Sequence, residues 1–122
     1  MSDFRKLTVW QKAHRLTLDV YRATAAFPQT ELYGLTSQMR RCCVSTGSNI
    51  AEGCGRSSEI DKALFLGIAK GSASELEYHF LLGHDLGFLS DAEYKHLDGA
   101  VTEVKKMLAW LVHKVEAERL AV

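Results

Sequence analysis

Proline is almost missing from this chain, Pro28 being the only one in 122 residues. Proline removes a backbone donor and clashes with the preceding helical turn, so its scarcity leaves long stretches free to be helical. Cysteine is scarce too. Cys42, Cys43 and Cys54 are odd in number, two are adjacent, and no CxxC pair occurs, which excludes a disulfide framework and a zinc knuckle. They read as small buried helix residues. Net charge is absent, with 15 basic against 15 acidic side chains, so the basic excess of a nucleic-acid or anionic-membrane binder is not there. No apolar run reaches the ~20 residues of a membrane span. The start, MSDFRKLTVW, has no signal-peptide core after Asp3, Arg5 and Lys6. We expect a cytoplasmic location and no membrane partner. Sustained alternation of Val, Ile and aromatic residues is also lacking, which argues against strands.

What remains is helical periodicity. A chain of this length that is 47% hydrophobic supports one core, so residues 1–122 are read as a single domain. The first helix opens at a capping box from Thr8 to Gln11, carries Val9, Ala13, Leu16, Val20, Ala23 and Phe27, and is ended by Pro28. A second spans about Thr36 to Glu52, with Leu35, Met39, Cys42, Thr46 and Ile50 on its apolar side. Gly53 and Gly55 end it by offering a left-handed conformation. A third starts at Ser58 to Asp61 and stops near Gly87. It has two seams: Leu66, Ala69, Ala73, Leu76, Phe80 and Gly83, and then Phe65, Ile68, Ser72, Glu75, His79, Leu82 and Leu86. The fourth begins with a capping box, Ser90 to Glu93, and continues as Tyr94, Leu97, Val101, Val104, Leu108, Leu111 and Val115. Four such helices with short connections predict an all-α, antiparallel up-down-up-down four-helix bundle.

Apolar residues outside these seams, Trp10, Tyr21, Met107 and Trp110, are candidates for an oligomer interface. A polar layer is predicted where the second and third helices meet. Arg41, Ser45, Asn49 and Glu52 on one helix would face Ser72, Glu75 and His79 on the other. Hydrogen-bonding groups inside a bundle either fix its register or form a site, and the register reading is preferred. The alternative is a small-ligand or metal-binding bundle using Glu52, Glu75 and His79. A di-metal bundle needs two Glu-x-x-His pairs, whereas only Glu93 and His96 make one. No Ser-His-Asp order, nucleophile elbow or HExxH motif occurs. We therefore expect no catalytic residues, no resident metal and no cofactor. The run from Gly53 to Ser58 resembles an anion cradle but lacks the lysine of a P-loop, and it reads as a helix-to-helix turn.

Charge is uneven along the chain: residues 1–56 hold eight basic and four acidic side chains, and residues 57–122 hold seven and eleven. Lys12, Arg15 and Arg22 share a helix face, and with Arg40 and Arg56 they are the candidate nucleic-acid contacts. Any RNA or DNA binding through them is expected to be weak and nonspecific.

Longer patterns carry a resemblance. Leu7-Thr8-Val9-Trp10-Gln11-Lys12-Ala13, Gln38-Met39-Arg40-Arg41 with Val44-Ser45, Ser48-Asn49-Ile50-Ala51-Glu52-Gly53 and Gly71-Ser72-Ala73-Ser74-Glu75-Leu76-Glu77 together resemble the 23S rRNA intervening-sequence proteins, an S23-like family of four-helix bundles, over nearly the whole chain. The resemblance implies a small bacterial bundle that assembles into a homo-oligomeric ring, a pentamer by expectation, with no known catalysis. Some members are encoded within rRNA genes, and a related group assists reverse transcriptases of diversity-generating retroelements. It therefore implies an assembly or accessory role, with RNA, an RNA-handling enzyme or another protein as partner. Cys42 and Cys43 stand where the resemblance expects small alanine-like residues.

Overall fold

A computed structural model describes residues 3–121, and among them there are helices and turns and no strand. The four α-helices are α1 (Thr8–Thr24), α2 (Leu35–Cys54), α3 (Glu59–Asp85) and α4 (Asp91–Leu120). Each packs on its neighbour in the chain, and α1 closes the bundle against α4. That is the pairing of the expected up-down-up-down bundle, and it sets α3 diagonally across from α1. No described helix is long and apolar enough to cross a membrane.

The seams form the core. Val9, Ala13, Leu16 and Val20 of α1 are buried with Met39 and Ile50 of α2. Leu66, Ala69, Ala73, Leu76 and Phe80 of α3, and Leu97, Val101, Val104, Leu108 and Val115 of α4, complete it. The second seam of α3 behaves differently. His79 is buried and Phe65, Ser72 and Leu82 are half-buried, but Ile68, Glu75 and Leu86 are exposed.

Helix ends follow local chemistry, with three departures from expectation. Thr8 does not cap α1. The N-cap is Leu7, which makes no side-chain bond, because a 3-10 turn at Phe4–Lys6, capped by Asp3, leads straight into the helix. Gln11 instead donates its Nε2 to the Arg5 carbonyl at 2.8 Å. Phe27 lies beyond the end of α1, yet stays buried and packs its ring 5.5 Å from that of Phe88.

The third departure is the end of α2, which runs on to Cys54, with Gly55 right-handed at φ −84. Here glycine serves a close approach rather than a left-handed turn. A Cβ on Gly53 would lie 3.2 Å from the Phe65 Cβ and 3.4 Å from the Lys62 carbonyl, so the helices are drawn together where α3 begins. At the other end of α2, Glu31 Oε1 accepts from the Leu35 N–H at 3.1 Å and does a cap's work from four residues upstream.

The remaining signals match the structure. Ser58 caps α3 by accepting from the Asp61 N–H. Gly87 takes φ +80 just past the end of α3, and the Phe88 N–H donates to the Gly83 carbonyl at 2.8 Å. Ser90 and Glu93 make both bonds of the capping box.

Candidate functional site

The polar residues gather where α2 meets α3. Ser45 Oγ and Ser72 Oγ share a hydrogen bond across the interface at 2.8 Å. Asn49 supports it by donating Nδ2 to the Ser45 carbonyl at 2.8 Å and to Ser45 Oγ at 3.2 Å. One turn toward the start of α2, the Cys42 thiol donates to Glu75 Oε2 at 2.9 Å. His79, one turn beyond Glu75 on α3, brings its Nε2 to 3.7 Å from the same oxygen. Cys42, Ser45, Ser72 and Glu75, with Gln38 and Arg41, line a cavity of about 420 Å³.

Two predicted members of the layer stand apart from it. Glu52 is exposed and pairs with Arg56 Nη2 at 3.3 Å, and exposed Arg41 only rims the cavity. The reason is helical phase. Each residue advances the helix by about 100°, and the side of α2 against α3 is centred on Cys42, Asn49 and Gly53, one residue along from Arg41 and Glu52. The residue missed by the sequence reading is Cys42. Its signal was the step of three to Ser45 and of seven to Asn49, hidden because Cys42 also fits the apolar seam.

Burial and the neighbouring carboxylate set the protonation of this cluster. Removal from water, and then the hydrogen bond to Glu75 and its charge, push the Cys42 thiol up to about 12. Burial alone dominates at Cys43, also pushed up to about 12. Burial lowers His79, opposed by the attraction of Glu75. The thiol is thus protonated and the imidazole neutral at pH 7. A protonated thiol facing a carboxylate is a poor nucleophile. As a donor set the cluster is richer: one atom each of Cys42, Glu75 and His79 lie within 4.8 Å of one another.

The basic candidates are mostly engaged. Lys12 pairs with Glu103 at 2.7 Å, and Arg22 with Asp19 at 3.2 Å. Arg40 lies 4.7 Å over the Tyr21 ring and donates to Thr24 Oγ1 at 2.9 Å. Arg56 lies over Phe65 as well as pairing with Glu52. Arg15 is exposed.

The candidate interface residues divide. Trp10 is half-buried between Phe4 and His14, with both ring distances 4.9 Å. Tyr21 is exposed beneath Arg40. Met107 is half-buried and Trp110 is 63% exposed, and with Leu7, Val9 and Leu111 they border an apolar groove of about 440 Å³ between α1 and α4. A larger apolar face went unread in the sequence. Ile60, Leu64, Ile68, Tyr78 and Leu81 are exposed along the outer side of α3. Gly67 and Gly71, also exposed, have nothing within 4 Å of where a Cβ would be. Their steps of three and four were present in the sequence, but apart from Ile68 these residues lay outside both seams assigned to that helix.

Comparison with known proteins follows the fold. A family model described as 23S rRNA-intervening sequence protein matches residues 5–109. Among solved structures, the chain is similar to a protein of unknown function from the S23 ribosomal protein family of Bacteroides thetaiotaomicron. The TM-score is 0.78 at 23% sequence identity, covering 86% of this chain and 98% of that one. No curated protein matches.

Proposed function

The chain belongs to the 23S rRNA-intervening sequence protein family, and from that premise and the character of its surface we propose a noncatalytic, ring-forming bundle that acts as an assembly or accessory factor. The observation that carries this reading is the outer face of α3. Ile60, Leu64, Ile68, Tyr78 and Leu81 are between 43% and 63% exposed along ~30 Å of one helix side, an apolar stripe that calls for a partner. The occupant proposed is a second copy of this chain. The apolar groove between α1 and α4 is a second apolar surface, and two different surfaces suit head-to-tail pairing, which gives a ring where the rotation between copies closes. Five subunits is the number the family resemblance leads us to expect. The protonated Cys42 thiol and the paired state of most basic candidates favour a protein-facing role over catalysis or strong RNA binding.

Light scattering during size-exclusion chromatography at micromolar concentration tests this. We expect a single multimer for the native chain, and a monomer for Leu64→Glu, which puts a carboxylate into the stripe. A monomeric native chain, or an unchanged mass for Leu64→Glu, refutes the reading.

A further inference from the structure

We infer that Cys42, Glu75 and His79 form a mononuclear site for a divalent metal of the zinc type, with a fourth coordination position open to the cavity between α2 and α3. This goes beyond the assembly role and does not depend on it. The donors are one sulfur, one imidazole nitrogen and one carboxylate oxygen, the mixed set that borderline-soft Zn²⁺ accepts. They come from two helices held in fixed register, Cys42 on α2 and the Glu75–His79 pair one turn apart on α3. Zinc bonds of about 2.0 to 2.3 Å in a tetrahedron place ligand atoms roughly 3.3 to 3.8 Å apart. Of the separations here, 3.7 Å from Glu75 Oε2 to His79 Nε2 falls within this range and 2.9 Å from sulfur to that oxygen lies below it. The third is no more than 4.8 Å. Side-chain adjustments of about an ångström close the site without moving either helix.

The imidazole supplies an independent reason. His79 is only 5% exposed, its Nδ1 has no hydrogen-bond partner among the described residues, and its Nε2 comes to Glu75 only at a distance too long for a hydrogen bond. A buried imidazole with neither nitrogen bonded is costly, and a metal bond at Nε2 satisfies that nitrogen while leaving the Nδ1 side as it is. Charge balances as well. The ion displaces the thiol proton to solvent, so that one thiolate and one carboxylate cancel its 2+ charge beside a neutral imidazole. Cys43 is the contrast, since it is 1% exposed and packs in the core. The open position, with Ser45, Ser72 and Arg41 around it, takes water or a small anion.

The test uses the full chain, made without a histidine tag, stripped with a chelator and titrated with Co²⁺ and then Zn²⁺. We expect one equivalent of Co²⁺ per chain with a thiolate-to-cobalt charge-transfer band, displaced by one equivalent of Zn²⁺, and a thermal midpoint raised by Zn²⁺. Cys42→Ser should abolish the band, and Glu75→Gln should weaken Co²⁺ binding at least tenfold. Glu75 is exposed, so that variant keeps its fold and decides the matter even if Cys42→Ser does not. No thiolate band at a tenfold excess of Co²⁺, a band that survives Cys42→Ser, or unchanged affinity in Glu75→Gln overturns the assignment.

Discussion

Replacing Gly67 and Gly71 with alanine separates the stability of the chain from its assembly. Both glycines are inside α3, where glycine costs ~0.8–1.0 kcal/mol relative to alanine. A Cβ at either position meets nothing within 4 Å, so no packing penalty offsets the gain. The pair should stabilise an isolated chain by about 2 kcal/mol. With an unfolding entropy of ~2.1 cal/mol/K per residue, 122 residues give ~0.26 kcal/mol/K, and the midpoint should rise by about 8 °C. Thermal unfolding in the Leu64→Glu background measures this with assembly removed. In the native background the result should go the other way for association. Two methyl groups one turn apart, on the side that carries Leu64 and Ile68, hold a facing helix away. Overpacking of a close contact costs ~1–3 kcal/mol, a weakening of about five- to 150-fold, read by sedimentation across a dilution series. If the double variant associates as tightly as the native chain, no second copy packs closely on α3. If the midpoint in the Leu64→Glu background does not rise, the glycines have a role within the chain that the open space around them conceals.

Phe80 is fully buried in the core cluster with Met39, Leu76 and Val101, so Phe80→Ala should cost about 3 to 5 kcal/mol in urea unfolding, through lost transfer energy and a residual cavity; a loss below ~1 kcal/mol would mean that the core repacks freely. Titration of labelled RNA should show weak binding that falls with salt at a slope of roughly 0.7 per phosphate neutralised on single strands, and replacing Lys12, Arg15 and Arg22 with alanine should remove it. Binding that survives high salt, or that the triple variant leaves intact, contradicts the electrostatic account.

Helix number, the seams and several ends were legible in the sequence because each rests on local information. The run from Tyr94 to Val115 is periodic whatever it packs on. Ser90 and Glu93 cap each other within one turn, and Gly87 adopts the positive φ that only a residue without Cβ takes cheaply. The end of α2 was misread because its glycine answers a neighbour far along the chain: Gly53 is there for Phe65 and Lys62, a contact that exists only once α3 has folded back. The start of α1 was misread because the turn before it supplies what a capping side chain would have.

The candidate site shows the same division. Periodicity placed Ser45, Asn49, Ser72, Glu75 and His79 on facing sides, and the structure joins Ser45, Asn49 and Ser72 by hydrogen bonds. It left open which residue of α2 would meet Glu75. A phase error of one residue turns a side chain by about 100°, enough to exchange an inward position for an outward one. Glu52, expected inside, therefore sits in solvent with Arg56, while Cys42, assigned to the apolar seam, reaches Glu75 and His79. The sequence by itself determined that α2 carries a polar stripe and α3 an answering one. The rotation and offset with which the two helices pack, set by Gly53 at their junction and the close fit of the core between them, decided which of those groups touch.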